Sequence, residues 1–418
     1  MRPDWDWRAL SDVCQIKPPK REAKLRLADD DLVSFVPMDQ LGIREKQLRL
    51  TTDRRLSEVA GSYTYFAEGD VLLAKITPCF ENGKLGIARG LTNGIGFGSS
   101  EFIVFRSGDE LDPEFLFYFL SQDSFREAGA SVMSGAVGHK RVPKEFIENH
   151  PIPLPSVAEQ KRIVAILDET FAGIETAIAN TEKNLANARE LFESYLNSLF
   201  QVLDEKYSKV RFGDVCEFVR GPFGGSLKKS IFVPEGYAVY EQQHAINNQF
   251  DEVRYFVDGG KFQQMARFEL KPGDLIMSCS GTMGKVSIAP SGLKRGIINQ
   301  ALLKLTPSND VLSEFLKFWM ESGAFLNEIS KHSVGAAMKN VASVKVLKEI
   351  RVPMPPIDQQ ENIILKLNEH RQTTGELENI YRKKLSALAE LKQSLLQKAF
   401  SGELTADKAE DEVQEAVA

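Results

Sequence analysis

Two stretches of this chain place short hydroxyls, glycine and a closing lysine in a similar order. One is Lys75-Ile76-Thr77-Pro78-Cys79-Phe80-Glu81-Asn82-Gly83-Lys84, and the other is Ser278-Cys279-Ser280-Gly281-Thr282-Met283-Gly284-Lys285. Gly98-Ser99-Ser100-Glu101, Gln242-Gln243-His244 and Asn299-Gln300 add hydroxyl, carboxylate and amide groups. These side chains suit the reading of base edges: Asn and Gln pair bidentately with adenine, Lys and Arg with guanine, and Glu accepts from cytosine. Lys140-Arg141 and Lys339, beside His139 and Asn340 in the same candidate surface, supply cations of the kind that clamp phosphates, which position a duplex without specifying its sequence. The loop Arg220-Gly221-Pro222-Phe223-Gly224-Gly225-Ser226-Leu227-Lys228-Lys229 is basic and glycine-supple enough to follow a groove. Singly, each of these is an ordinary solvated loop residue. As a group, at matching places in two diverged copies, they form the candidate surface for double-stranded DNA.

A search for catalysis returns little. There is no Asn/Asp-Pro-Pro-Tyr/Phe tetrapeptide of the kind that holds a flipped base for amino methylation, and no glycine-rich turn follows a strand in the dinucleotide-binding manner. The glycines of Gly281-Thr282-Met283-Gly284-Lys285 are too close for a phosphate loop. One nuclease-like set exists, Pro3-Asp4 followed by Glu22-Ala23-Lys24, which a metal-dependent nuclease would gather on adjacent strands. Here Glu22 follows Lys17-Pro18-Pro19-Lys20-Arg21, a poor strand. The five histidines are scattered, and the four cysteines lie far apart without a Cys-x-x-Cys pair, so zinc and a disulfide framework are not expected.

The elements that must position the candidate residues are themselves repeated. Ile152-Pro153-Leu154-Pro155-Ser156-Val157-Ala158-Glu159-Gln160 returns 200 residues later as Val352-Pro353-Met354-Pro355-Pro356-Ile357-Asp358-Gln359-Gln360, and the match runs without a gap to Phe200/Phe400. Proline-x-proline stays outside a helix, and the runs that follow carry apolar residues at alternating spacings of three and four. Ile163, Leu167, Ile174, Ala177, Ala188, Leu191 and Tyr195 form one seam; Ile363, Leu367, Leu377, Tyr381, Leu388, Leu391 and Leu395 form the other. Thr170, His370, Thr374 and Lys384 interrupt them. Each run predicts a helix of about 40 residues, roughly 60 Å long, with the other copy as its partner. The preceding blocks are diverged copies as well. Leu10-Ser11-Asp12-Val13-Cys14 parallels Phe212-Gly213-Asp214-Val215-Cys216, and Glu68-Gly69-Asp70-Val71-Leu72 parallels Pro272-Gly273-Asp274-Leu275-Ile276. Short apolar strands and a helix such as that around Phe115–Leu120 make each block an α+β unit.

The chain of 418 residues is too long for one core. It reads as residues 1–151, a first block; 152–204, a central helix; 205–351, a second block; 352–402, a distal helix; and 403–418, an acidic tail expected to be disordered. The net charge of −6 falls as −3, −4, +5 and −4 over 1–151, 152–204, 205–351 and 352–418, so the second block is basic and the helices and tail are acidic. A protein gripping DNA alone is usually more positive, which predicts a partner that supplies backbone contacts. No apolar run approaches the roughly 20 residues of a membrane span, and a cytoplasmic protein without a membrane partner is expected.

On Pro153-Leu154-Pro155…Glu159-Gln160-Lys161-Arg162-Ile163, Pro353-Met354-Pro355…Gln359-Gln360…Ile363 and Ala399-Phe400-Ser401-Gly402-Glu403-Leu404, the chain resembles the specificity subunit of type I restriction-modification enzymes over essentially its whole length. The second copy departs from the family's Glu-Gln-x-x-Ile, with Gln359 in place of the Glu and Glu361-Asn362 in place of basic residues. The resemblance implies two similar target recognition domains separated by two long antiparallel coiled-coil helices in a pseudo-twofold repeat. Each domain would read one half of a bipartite, interrupted target. The helices would set the spacer and dock two methyltransferase subunits, with motor-nuclease subunits joining for cleavage. The resemblance implies no catalysis and no cofactor of the chain's own; S-adenosylmethionine, and ATP and Mg for restriction, would come through the partners. Two other classes stay open: a two-domain coiled-coil scaffold that binds protein, and a stand-alone nuclease built on Pro3, Asp4, Glu22 and Lys24.

Overall fold

Proline in the repeated motif lacks a backbone donor, so it is restricted to strand edges and helix starts. Both outcomes occur in the computed structural model, which describes residues 5–136, 138–279, 282, 284–331 and 343–405. Pro151–Leu154 pairs antiparallel with Asp6–Ala9 in a two-stranded ribbon, and Arg351–Pro353 pairs the same way with Lys209–Arg211. Directly after each ribbon a long helix begins. The central helix is Val157–Lys206 and the distal helix Ile357–Ser401, 50 and 45 residues.

The junction between ribbon and helix rests on one glutamine in each copy. Gln160 is fully buried. Its Oε1 accepts from the Asp112 N–H at 2.8 Å, and its Nε2 donates to the carbonyls of Glu110 at 2.8 Å and Pro155 at 2.9 Å. Gln360, also fully buried, accepts from Leu312 N–H at 2.9 Å and donates to Asp310 at 3.0 Å and Pro355 at 2.9 Å. The departure at Gln359 therefore leaves the structural member of the Glu-Gln pair in place. Its counterpart Glu159 accepts from the Thr405 hydroxyl, whereas Gln359 donates to Asp358 at 3.2 Å.

The chain divides into two compact units, Met1–Glu182 with Lys383–Ala418, and Lys183–Arg382. Both carry the same pair of four-stranded sheets. In unit 1 one sheet runs Cys14–Ile16, Phe102–Ser107, Val71–Ala74, Leu85–Ile87, and the other Asp53–Arg55, Leu32–Val36, Ile95–Gly98, Thr64–Ala67. In unit 2 the orders are Cys216–Arg220, Leu302–Pro307, Leu275–Ser278, Val286–Ile288, and Phe256–Val257, Tyr237–Tyr240, Gly296–Ile298, Glu269–Leu270. The registers agree too: Cys14 faces Ser107 as Cys216 faces Pro307, and the parallel strand pair in each unit sets Ser34 opposite Gly96 and Ala238 opposite Gly296. Those two glycines are demanded by close approach. A Cβ at Gly96 would meet the Phe66 ring at 2.1 Å, and one at Gly296 the Ala238 carbonyl oxygen at 2.2 Å.

The repeated Gly-Asp pairs form turns. Buried Asp70 accepts from Ala67 N–H and, bidentately, from Arg106 at 2.8 Å; Arg106 Nη1 also reaches Glu22 at 2.5 Å. Asp274 makes the same turn with Lys271 N–H at 2.8 Å, and it takes the Thr306 hydroxyl at 2.6 Å instead of an arginine.

Within each unit the two long helices run antiparallel. In unit 1, Lys392 of the distal helix meets Glu175 of the central one at 3.3 Å, and Thr405 meets Glu159. Ile163, Leu167, Phe171 and Ile174 share a core with Leu395, Leu396, Ala399 and Phe400. In unit 2, Arg189 bonds Glu378 at 3.1 Å, and the Tyr195 ring stacks on His370 at 3.9 Å. The expected seam needs one correction: Leu191 is 55% exposed, and Ala188 and Leu196 are the buried residues on either side of it. Thr170 and Thr374 do not break the helices. Both are buried in the seam, with hydroxyls returned to the carbonyls of Ile166 at 2.8 Å and His370 at 2.9 Å.

Each block's core is completed by the C-terminal end of a long helix, the distal helix for the first block and the central helix for the second. Phe115 packs on Phe400 at 4.9 Å, and its counterpart Phe315 packs on Phe200 at 5.5 Å. Order persists beyond the distal helix: Leu404 and Thr405 are buried, although the acidic tail is expected to start at 403. Residues 406–418 lie outside the described ones.

Replacing Gln160 with Ala strands one N–H and two carbonyls in the interior, a loss of roughly 2–4 kcal/mol. We expect Gln160→Ala to lower the melting transition of unit 1 and Gln360→Ala that of unit 2, each resolved by hydrogen exchange of the sheets named above.

Candidate nucleic-acid interface

Three loops of unit 1 are drawn together by backbone bonds at the end of the Val71–Ala74 strand. Lys75 N–H donates to Glu101 O at 2.9 Å, Val142 N–H to Lys75 O at 3.0 Å, and Thr77 N–H to Lys140 O at 3.0 Å. Ser134 and Arg141 exchange both backbone bonds, at 3.1 and 2.9 Å, closing a hairpin-like loop. On this frame Arg141 donates to both carboxylate oxygens of Glu101, from Nε at 2.9 Å and Nη2 at 2.7 Å. That pairing holds Glu101 below the usual carboxylate range. Lys75 Nζ donates to Ser100 O at 3.0 Å, and burial lowers its pKa despite Glu101 nearby. Asn82, Ser100, His139 and Lys140 are exposed and Ser99 half-buried around this cluster.

Some expected members are taken by the fold. Phe80 is fully buried, its ring 6.1 Å from Phe125, and it offers no face to a ligand. Lys84 Nζ is spent on Met38 O at 2.7 Å, and the Thr77 hydroxyl on Glu81 at 3.0 Å. The apolar environment won Phe80, because alternation along a loop does not reveal which ring turns inward.

Sequence reasoning missed a cleft beside the cluster. A pocket of about 300 Å³ is lined by Lys17, Lys20, Lys75 and Lys144, together with Tyr63, Tyr65 and Ser100. Lys20 donates to Gly61 O at 2.9 Å, and burial together with the nearby Lys17 charge lowers its pKa. The one signal was the basic run Lys17-Pro18-Pro19-Lys20-Arg21; the distance of Lys144 along the chain hid the rest.

Unit 2 builds the corresponding place differently. Cys279 N–H donates to Ala301 O at 2.9 Å, as Lys75 does to Glu101. Ser278 is buried, its hydroxyl donating to Thr282 O at 2.6 Å and accepting from Lys285 N–H at 3.1 Å, so it shapes the turn and does not face a ligand. Gln242 reaches the same turn at Thr282 O, 3.4 Å away, and Asn299 Oδ1 accepts from Ala301 N–H at 3.0 Å. His244 is another correction. It is buried, with Nδ1 accepting from Glu241 N–H at 2.8 Å and Nε2 3.1 Å from Glu252 O, which makes it a helix-cap residue. Gln243, Thr282, Lys285, Gln300, Lys228 and Lys229 are exposed, Arg220 is half-buried, and Phe223 is 78% exposed. Ser280, Lys339 and Asn340 lie outside the described residues.

Of the nuclease set, Pro3 and Asp4 lie outside the described residues. Glu22 lies on the short helix Arg21–Arg26, bonded to Arg106 and to the Tyr65 hydroxyl at 3.2 Å, while Lys24 is exposed. Among the described residues there is no group of three His, Cys, Asp or Glu able to hold a metal, and no helix is long and apolar enough to cross a membrane.

The family profile described as "Type I restriction modification DNA specificity domain" matches residues 3–185 and again 204–386. The chain belongs to this family. The two matches fall on the two repeats, so the type I specificity domain is present twice. The Escherichia coli type I restriction enzyme EcoAI specificity subunit is 26% identical, aligned over 90% of this chain and 79% of that protein. A chain from a structure of complex assembly in a type I restriction-modification system has a TM-score of 0.81 at 21% identity, covering 97% of this chain and 99% of the other. The HsdS subunit from Thermoanaerobacter tengcongensis gives 0.64 at 19%, covering 97% and 98%. These similarities establish the α+β, doubly repeated specificity fold.

If the lysine cleft follows phosphates, Lys17→Gln and Lys20→Gln will each flatten the dependence of log K on log salt by about one unit and weaken all DNA sequences alike. Salt titration of binding by the assembled complex measures this.

Proposed function

We propose that this chain is the DNA-reading subunit of a type I restriction-modification complex, each unit recognising one half of an interrupted bipartite target. The observation that carries the proposal is the double one: the same pair of four-stranded sheets occurs twice, in the same strand order, while the loops at the strand ends differ in chemistry. A shared frame with unlike loops suits two half-sites of unlike sequence. Loop groups around Lys75, Glu101 and Arg141 would meet one half-site. Those around Gln242, Lys285 and Gln300 would meet the other.

The long helices then act as a ruler and as docking faces for two methyltransferase subunits, with motor-nuclease subunits completing the cleaving form. Leu365, Ile380 and Leu191, each more than half exposed on helix surfaces of unit 2, suit coverage by another chain. The chain performs no chemistry of its own in this reading. S-adenosylmethionine, and ATP with Mg for cleavage, enter through the partners, which also supply the phosphate contacts that a net charge of −6 leaves short. The complex operates in the cytoplasm, where chromosomal DNA is its substrate.

Exchange of residues 1–151 for another such block will change one half-site and leave the other intact, as read by methylation mapping of DNA from cells holding the complex. A change in both halves at once would sink the modular assignment. Insertion of a few helical residues within 164–190 will alter the spacer while the half-site bases persist, and the same mapping reports it.

A further inference from the structure

Arg141 has five N–H donors, and partners among the described residues account for three. Nε and one Nη2 hydrogen go to Glu101 at 2.9 and 2.7 Å, and Nη1 reaches His139 O at 3.3 Å. A guanidinium carries one hydrogen on Nε and two on each Nη, so one on Nη1 and one on Nη2 remain. Donors on these two neighbouring nitrogens can serve the O6 and N7 acceptors of guanine in the major groove.

The surroundings favour that use. Arg141 is 48% exposed and Glu101 22%, so the fork opens to solvent while the buttress behind it is sheltered. Glu101 is fixed in turn: its N–H bonds the Ser99 hydroxyl at 3.2 Å, and Lys75 Nζ lies 3.9 Å from its carboxylate. An ion pair this exposed adds little to folding, but it removes the rotamer freedom that a reading arginine must otherwise give up on docking. Unit 2 has Ala301 at the place of Glu101, so it lacks the carboxylate of this device.

Resting on the DNA-reading role proposed above, we infer that Arg141, positioned by Glu101, reads a guanine in the half-site bound by residues 1–151. This departs from a plain phosphate clamp, which would weaken every sequence equally.

The test uses the full chain assembled with its methyltransferase, and maps methylated motifs by single-molecule sequencing for the wild type, Arg141→Ala, Arg141→Lys and Glu101→Gln. The wild-type first half-site should contain a G·C pair. Arg141→Ala and Arg141→Lys should relax that pair alone, by about 10- to 100-fold in preference, with the second half-site unchanged as proof of an intact complex. Glu101→Gln should relax the same pair less, at an unaltered melting temperature. A uniform loss of methylation without relaxation, a first half-site built only of A·T pairs, or a motif indifferent to Arg141 would each overturn the inference while leaving the DNA-reading role standing. No bipartite motif from the wild-type complex would remove that role, and this inference with it.

Discussion

Gln160 and Gln360 sit where each recognition block meets its long helix, and the geometry of both blocks depends on those two amides. Each is fully enclosed, and each makes one bond in and two out. A buried amide left half-satisfied costs more than its bonds return, so the junction is correct only when the turn before the block's helix, the proline segment and the long helix are all in place. The loops that carry Glu101 and Arg141, or Gln242 and Gln300, stand on sheets whose position is set by this junction. The neighbouring position differs between the copies, with Glu159 bonded to the Thr405 hydroxyl and Gln359 to Asp358, while the amide junction is the same in both.

The second constraint is aromatic. Phe400 closes the core around Phe115, and Phe200 closes the one around Phe315, so each helix serves one block at its start and the other at its end. Fully burying a Phe is worth about 1.5–3 kcal/mol, enough to make the helix end an integral part of each core. That arrangement explains why the compact units cut both long helices in the middle instead of following the order of the repeats.

Much of this was legible from residue patterns. The 200-residue repeat, the position of both helices after the proline motifs and the α+β character of the blocks all follow from periodicity and proline chemistry, because such signals are local. The seam was less so: Leu191 fits the heptad and yet faces outward, since a long helix drifts against a fixed spacing. Site residues divided according to burial. Arg141, Lys140 and Asn82 lie where a loop reading places them, whereas Phe80, Ser278 and His244 were drawn into the interior by needs that only the folded chain imposes. The partnership of Glu101 with Arg141, 40 residues apart, and the gathering of Lys17, Lys20 and Lys144 into one cleft had no local signature at all.

The interrupted composition of unit 1 has a bearing on synthesis. Unit 2 is a single continuous stretch, Lys183–Arg382, and all of it has been translated before Leu395, Leu396 and Phe400 are. The block made first is therefore the last to be finished. Nascent domains generally fold in order from the N-terminus; here the first must wait, with Phe115 and Phe119 lacking the Phe400 ring that covers them. For that interval the emerging chain offers an apolar surface to chaperones.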